Sequence, residues 1–436
     1  MKNCLKLPFY MAMGAMLLVT SCDNDDNGYA GDLTPRESAI QGIVADYTAH
    51  TVIPTYRNLA DKTIDLYNAC RVMYTAGSGN VTTEQVQTAG DAWKSAREYW
   101  ERSEAWLFGP AGDYDVDPHI DSWPLDENAL KSLLANASEM SKMDADGLYI
   151  STKDYGLLGF HALEYMLFAL EGEGMAQTSK PHATGYTAQE LSYLTGVAGD
   201  LRNQCIILEA AWAGEQNISE AKRAVLNQIR TTIGTSSSAA HEHYKEALTA
   251  LANGLCYAND MNNPVEGNNS DFVNYLAAAQ TMISDGIQNI ANEVGNVKIG
   301  NPTGQGSGED YNYDPGYIES PYSLNSINDF KGNIISIENA YCGIQTSKAY
   351  NQGETNIKPV SHSLSSYVAT LDAALDTKVK AAIDNAYQSV SQMKEPFAYT
   401  CNQANGYGEI NKKAIDACNE LNDIFDDVLS LLGEQR

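Results

Sequence analysis

Apolar residues recur at helical spacing along most of the chain, and polar, glycine-rich stretches separate these segments. Between residues 36 and 75, for example, Ile40, Val44 and Tyr47 fall on one face of a helix. Pro54 lies inside this segment and predicts a kink there. Alternating β-branched and polar residues are almost absent, so the pattern indicates an all-α protein.

The helical segments form two sets, one in each half of the chain. The first half predicts helices over residues 36–75, 82–108, 126–141, 155–170 and 188–213, and the second half over 270–294, 325–346, 362–394 and 409–432. Because each helix carries an apolar stripe that needs partners, we predict two four-helix-bundle-like domains, at 35–235 and 236–436. The loop 295–324 is longer than a turn within a bundle, so we expect it to be either disordered or functional.

The N-terminus has the pattern of a lipoprotein export signal. Residues 1–21 combine Lys2 and Lys6 with the apolar run LPFYMAMGAMLLV, and the small residues of VTSC lead to Cys22. Cys22 is the expected lipidation site, and residues 22–34 are an acidic tether. We therefore expect an outer-membrane protein on the periplasmic or cell-surface side, which reaches the membrane through its lipid anchor only.

The chain is strongly acidic, with a formal charge of −28. A surface of this sign repels nucleic acid, so no nucleic-acid partner is expected, and it attracts cations. Carboxylates are so frequent that one alone carries no functional information.

Six cysteines remain when Cys4 and Cys22 are set aside. Disulfides are permitted outside the cytoplasm, and the scattered spacing has none of the paired cysteines typical of a zinc site. We expect one or two disulfides, with Cys401 and Cys418 as a plausible pair.

The stretch GFHALEYMLF contains a histidine and a glutamate three residues apart inside an apolar helix. His161 and Glu164 lie on one helical face and would be buried together. Buried polar groups need partners, and either a metal ion or a hydrogen-bond network would supply them. The pair offers only two ligands, so a closed metal site requires others from elsewhere in the chain.

A second candidate is the acidic segment DYDVDPHIDSWPLD, which resembles a cation-binding loop. It contains His119 and aspartates at 113, 115, 117 and 121, but prolines occupy two positions that an EF-hand needs. The alternative is a solvated acidic loop. The chain has no GxSxG motif, phosphate-binding loop or dinucleotide fingerprint, so serine and nucleotide chemistry have no support.

Four segments in order resemble the imelysin family. In chain order they are WKSAREYWERSEAWLFGP, IDSWPLD, GFHALEYMLF with the family's GxHxxE pattern, and ESPYSLNSINDFKGNIISIENAYCG. The resemblance extends from about residue 35 to the C-terminus and implies two helical bundles in a pseudo-twofold arrangement. Some family members are described as metallopeptidases and others are linked to iron uptake. Gly159, His161 and Glu164 match the family motif directly.

We therefore expect a cell-envelope lipoprotein that binds a metal or an iron-related small ligand in a cleft between the bundles, together with an envelope transport partner. A nitrogen and an oxygen ligand suit iron or zinc. The predicted metal ligands are His161, Glu164, Asp121 and either Glu98 or Glu104. The other predicted site residues are Gly159, Trp123, Tyr322, Ser323, Asn325 and Asp329.

Two alternatives stay open. The first is a metallopeptidase, which needs an open coordination position and a base distinct from the metal ligands. The second is a peptide- or protein-binding module in which His161 and Glu164 are purely structural. If protein groups satisfy every polar atom around His161, the metal interpretation loses its main support.

Overall fold

A computed structural model describes residues 33–234, 241–264, 270–344 and 359–434 of the protein. Within these ranges the chain is all-α apart from one short two-stranded ribbon, as predicted. The predicted signal peptide, Cys22 and residues 22–32 of the tether lie outside the described residues. None of the described helices has an apolar stretch of membrane-spanning length and character.

The first helical group packs around buried tryptophans, including Trp93 and Trp100. It starts with one continuous helix formed by Pro35–Asp46, a wide π-helical turn at Tyr47–Val52, and Ile53–Ala76. The wide turn ends just before Pro54, which lacks the N–H for a regular helical hydrogen bond. The other long helices of this group are Thr83–Glu101, Gly159–Leu167 and Ala188–Ala213.

Further helices connect and cover these four. Up to residue 262 they are Pro110–Asp113, Val116–Asp121, Glu127–Ala135, Ala137–Met140, Glu220–Ile233, Glu242–Ala252 and Tyr257–Asn262. Single 3₁₀ turns occur at Glu104–Trp106, Ile150–Thr152, Tyr155–Leu157, Gly174–Ala176, Glu215–Asn217 and Gln403–Asn405.

The predicted helix over 155–170 is shorter than expected. It begins at Gly159 and ends at Leu167, where the chain enters an antiparallel ribbon of Phe168–Glu171 with Thr178–Pro181. The ribbon depends on pairing across a polar, glycine-containing turn, and periodicity within the helix does not reveal such pairing.

The second helical group contains four long helices. The first runs from Tyr275 to Thr303 through Tyr275–Thr281, Met282–Gln288, Asn289–Asn292, Glu293–Ile299 and Gly300–Thr303. The other three long helices are Ser326–Cys342, Ala373–Gln392 and Gly408–Glu434, and two short helices, Leu364–Leu371 and Phe397–Thr400, lie between them. The predicted end of the first helix at residue 294 was wrong. Val294, Lys298 and Ile299 are buried, and these tertiary contacts offset the low helix propensity of the glycines that follow residue 294.

The two groups meet where Thr83–Glu101 packs against Ser326–Cys342. A side chain at Gly332 would place its Cβ 2.7 Å from Glu101 Cβ, so only glycine permits this approach. Asn333 Nδ2 donates to the backbone carbonyl of Glu101 at 3.2 Å. The division into two domains near residue 235 stays a prediction, and residues 235–240 lie outside the described part of the chain.

The cysteine prediction was wrong. Cys401 and Cys418 are free thiols, as are the other four cysteines of the described helices and loops. Five of the six are buried. Burial alone raises the pKa of Cys70 to about 12, which makes that thiol unreactive at neutral pH.

Candidate functional site

Nine buried charged side chains form one connected group where the two helical groups meet. We call it the charged cluster, and its members are Arg97, Glu101, Glu104, Asp121, His161, Glu164, Lys298, Glu319 and Asp329. Three of these residues come from the region after residue 295, so the cluster joins both halves of the chain.

Arg97 lies at the centre of the charged cluster and has no exposed surface. Its NH2 group is 2.6 Å from both Glu101 Oε1 and Glu319 Oε1, and its Nε is 3.4 Å from Asp329 Oδ2. Its NH1 group pairs with Asp121. Burial opposes the charge of Arg97, but these four carboxylates outweigh that effect and raise its pKa well above the usual value.

Lys298 provides a second buried cation beside the same carboxylates. Its ammonium nitrogen is 3.1 Å from Glu319 Oε1 and 3.8 Å from the nearer oxygens of Glu101 and Glu104. It also lies 5.3 Å from the centre of the Trp123 ring, within reach of a cation–π interaction.

His161 stands between two carboxylates. Its Nδ1 is 3.3 Å from Glu164 Oε2, and its Nε2 is 3.2 Å from Asp121 Oδ1. The Nε2 contact is electrostatic, since its geometry does not make a hydrogen bond. Burial lowers the pKa of His161, but the two carboxylates outweigh burial and raise it to about 9. Without a metal ion the imidazole therefore holds a proton on both nitrogens at neutral pH, and a metal ion bound at Nε2 would displace the proton there.

Glu164 ties the first helical group to the loop before Ser326. Its Oε1 accepts hydrogen bonds from the backbone N–H groups of Tyr322 and Ser323 at 2.9 and 2.7 Å, and from the Ser323 hydroxyl at 2.7 Å. The Tyr322 hydroxyl donates to Glu127 at 2.7 Å. Hydrogen bonds to an ionised carboxylate are stronger than those between neutral groups, so this contact holds the loop firmly.

Gly159 allows the segment that carries Asp121 to reach His161. Its φ is 69°, and a Cβ at this position would lie 2.0 Å from the carbonyl oxygen of Ile120. Asp121 then accepts a hydrogen bond from Trp100 Nε1 at 2.8 Å as well as facing Arg97 and His161.

The remaining predicted residues surround the charged cluster. Asn325 Nδ2 donates to Asp329 Oδ1 at 2.5 Å, and Ser320 donates to the other oxygen at 2.5 Å. The Trp123 ring lies 5.8 Å from the His161 ring and 5.0 Å from the Tyr317 ring. The structure thus brings Trp123, Asn325 and Asp329 to the same site.

The charged cluster contains more carboxylates than cations. Six carboxyl groups face Arg97, Lys298 and His161, so full ionisation would leave a formal charge of −3 in a buried region. Such an excess is costly away from water, and it is relieved by bound protons or by a further cation. Burial raises the pKa of Glu101 to about 7 against the opposing effect of Arg97, and burial raises the pKa of Glu104 well above its usual value.

Several buried polar atoms of this region have no hydrogen-bond partner within the described part of the chain. They are Glu104 Oε1, Glu319 Oε2, His161 Nε2 and Trp123 Nε1. The network is therefore not closed by protein groups alone. Asp121, His161 and Glu319 each offer a ligand atom within 4.8 Å of the other two, and Glu101, Glu104 and Asp121 form a second such set. Imidazole nitrogens and carboxylate oxygens are common metal ligands, and the unpaired His161 Nε2, Glu104 Oε1 and Glu319 Oε2 therefore fit a metal ion.

Two sequence-based candidates lie outside the charged cluster. Of the alternatives Glu98 and Glu104, only Glu104 belongs to the cluster, because the Glu98 side chain is 39% exposed and pairs with Arg102 at 2.6 Å. The acidic segment from 113 to 126 does not form a cation loop, because Val116–Asp121 is helical and turns its residues in different directions. His119 pairs with Asp200 at 2.7 Å, whereas Asp121 joins the charged cluster.

Sequence reasoning missed Arg97, Glu101, Lys298 and Glu319. Arg97 had a usable signal, because it falls on the same helical stripe as Trp93 and Trp100 and must be buried with them. Lys298 and Glu319 had none, since they were assigned to a long loop whose path the sequence does not define.

The chain is similar in sequence to known proteins. The imelysin family model matches residues 52–425. Iron-regulated protein A of Synechococcus elongatus is 27% identical over 304 residues, which is 70% of this chain and 64% of that protein, so the match spans less than two thirds of the relative's length.

Two solved structures share the fold. A protein of Parabacteroides distasonis ATCC 8503 named as an iron-regulated protein A precursor has a TM-score of 0.69 and 28% identity, with 92% of this chain and 96% of that chain covered. An imelysin-like protein from Psychrobacter arcticum 273-4 has a TM-score of 0.52 and 15% identity, with 92% and 97% covered. At that identity the second likeness supports the fold alone.

Proposed function

Because the chain belongs to the imelysin family, we propose that it is a cell-envelope protein that binds an iron ion in the charged cluster. One observation carries the proposal: among the described residues, His161 Nε2 and Glu319 Oε2 have no hydrogen-bond partner, although both are buried beside Asp121 in a region with excess negative charge. The names of two relatives, which refer to iron regulation, support iron as the ion.

The chemistry of the donors agrees with this role. His161 would supply a nitrogen ligand, and Asp121 and Glu319 would supply oxygens, a set that suits iron or zinc better than calcium. His161 Nε2 and Asp121 Oδ1 are 3.2 Å apart. Two neighbouring ligands, each about 2.1 Å from one ion, are separated by a similar distance, roughly 3 Å. Arg97 and Lys298 would hold the carboxylates in position, and Glu164 would orient the imidazole through Nδ1.

The metallopeptidase alternative has less support. Cleavage needs an open coordination position and room for a peptide beside the metal. His161, Asp121 and Glu164 are only 3%, 4% and 0% exposed, and Glu164 already accepts three hydrogen bonds from the loop at 322–323. These observations favour binding of a small ion. A purely structural His161–Glu164 pair, as in a peptide-binding module, would leave the unpaired atoms around it without a function.

The cellular location belongs to the same proposal. The export signal and Cys22 support lipid anchoring at the outer membrane, and an ion-binding role there implies a transport partner in the envelope. Replacement of Cys22 by serine should release the protein from the membrane fraction. If the Cys22→Ser protein still sediments with membranes after its signal is removed, the proposed anchor is wrong.

Metal analysis tests the binding role. The purified protein, produced without a histidine tag, should retain one iron ion after equilibration with ferrous salt under anaerobic conditions and desalting. The His161→Gln protein should retain much less, while His182→Gln serves as the control because His182 lies at the end of the ribbon, where its Nδ1 contacts the Ala183 carbonyl. Equal iron contents in wild type and His161→Gln would refute the proposal.

A further inference from the structure

A cavity lies between the first long helix and the end of the helix Ser326–Cys342. Its volume is about 380 Å³, and it opens beside the wide turn Tyr47–Val52 of the first long helix. Ala340 and Gly343, at the end of the helix Ser326–Cys342, form part of the opposite wall. No residue of the charged cluster lines this cavity.

One carboxylate at this cavity stands between two histidines. Asp46 Oδ2 is 3.4 Å from His362 Nδ1, and Asp46 Oδ1 is 3.9 Å from His50 Nε2. Asp46 and His50 are four residues apart along the first long helix, whereas His362 comes from the segment before Leu364–Leu371. Long-range packing therefore brings the three side chains together, and no sequence motif predicts this group.

The wall of the cavity also contains two buried hydroxyl groups. Tyr47 and Thr51 are only 4% and 1% exposed, and both line the cavity. Neither hydroxyl has a hydrogen-bond partner among the described residues. Unpaired buried hydroxyls are uncommon in folded proteins, and a partner outside the protein is the usual explanation.

We propose that Asp46, His50 and His362 form a second metal site, for a divalent transition-metal ion such as Zn²⁺. Two imidazoles and one carboxylate are a recognised ligand set for such ions and leave coordination positions open. The two histidines face different oxygens of Asp46, and at 68% and 63% exposure both imidazoles have room to turn towards an ion bound there. Water molecules on the open positions would occupy the cavity, and the hydroxyls of Tyr47 and Thr51 would be their hydrogen-bond partners.

This inference does not depend on the function proposed for the charged cluster. Zn²⁺ titration by calorimetry in the His161→Gln protein removes the contribution of that cluster and isolates the second site. We expect this protein to bind one Zn²⁺ ion there. Adding His362→Gln or His50→Gln should weaken that binding at least tenfold.

His182→Gln in the same background is the matched control and should leave Zn²⁺ binding unchanged. Co²⁺ provides a second measurement, because its visible absorption reports nitrogen and oxygen coordination directly. The Co²⁺ spectrum should disappear in Asp46→Asn. If Zn²⁺ affinity and stoichiometry are the same with and without His50 and His362, the second site does not exist.

Discussion

Ser323 donates two hydrogen bonds to a single oxygen of Glu164, one from its backbone N–H and one from its hydroxyl, each at 2.7 Å. Glu164 belongs to the first helical group, and Ser323 precedes the helix Ser326–Cys342 of the second. The motif glutamate thus connects the two halves of the protein through its Oε1, while its Oε2 faces His161.

Replacement of Glu164 by glutamine should destabilise the protein. The side-chain amide keeps an acceptor oxygen but loses the negative charge that strengthens three hydrogen bonds and the contact with His161. We expect the free energy of unfolding in urea to fall by about 2–4 kcal/mol. Glu127→Gln is the control, since Glu127 accepts one bond from the Tyr322 hydroxyl at a more exposed position, and it should cost less than about 1 kcal/mol. Equal effects of the two substitutions would contradict the connecting role of Glu164.

Gly159→Ala should disrupt the site through a steric clash. The new Cβ would lie 2.0 Å from the carbonyl oxygen of Ile120, next to Asp121. Gly77→Ala separates this clash from the cost of positive φ, because Gly77 has a φ of 80° and no atom within 4 Å of an added Cβ. Gly77 has a ψ of 166°, in a region of backbone space that is essentially restricted to glycine, so we expect Gly77→Ala to cost about 1–3 kcal/mol in thermal unfolding. Gly159→Ala should cost clearly more, with loss of iron retention. Similar losses of stability would show that backbone strain alone explains Gly159.

The all-α fold and the central motif were predictable because both depend on local sequence. Helical periodicity identified the long helices, and the spacing of His161 and Glu164 placed them on one buried face. The loop residues Ser323 and Asn325 came from the family resemblance. These features need no knowledge of how distant segments pack.

The rest of the site depends on long-range packing. Lys298 was assigned to a loop because Gly295 and Gly300 lower helix propensity, yet burial of its neighbours keeps that segment helical. Glu98 was proposed as an alternative to Glu104, and Glu101 was not considered, although only Glu101 faces Arg97 while Glu98 pairs with Arg102. To choose between such carboxylates one must know how the two helices cross, and a single sequence does not specify this geometry.

Arg97→Met should destabilise the protein strongly because it leaves four buried carboxylates without their main counter-charge. Removing one partner from a buried ion pair costs about 3–5 kcal/mol. The loss, measured by urea unfolding, should be smaller at acidic pH, where the carboxyl groups are protonated. Arg97→Lys keeps the charge but lacks the planar guanidinium group. Its loss of unfolding free energy should therefore be smaller than that of Arg97→Met. A loss that does not change with pH would argue that Arg97 stabilises the protein through packing alone.

The stability of the metal-free protein should fall with rising pH because of His161. In the folded protein the pKa of His161 is raised from 6.5 to about 9 by Asp121 and Glu164, against the effect of burial. A raised pKa means that the folded state binds the proton more tightly than the unfolded chain does. The stabilisation from this proton is therefore fully present below about pH 6.5 and is lost as the pH rises through about 9. The shift corresponds to roughly 3 kcal/mol at most.

The measurement compares wild type with His161→Gln in the presence of a chelator, by urea unfolding at several values between about pH 6 and pH 9.5. Glutamine does not titrate in this range, whereas Glu101, whose pKa is raised to about 7, titrates in both proteins and largely cancels in the difference. We expect wild type to have the larger free energy of unfolding at the acidic end of the range, and most of this difference to disappear at the alkaline end. An advantage that stays constant across the range would mean that the two carboxylates do not hold a proton on His161, and the electrostatic account of the charged cluster would have to be abandoned.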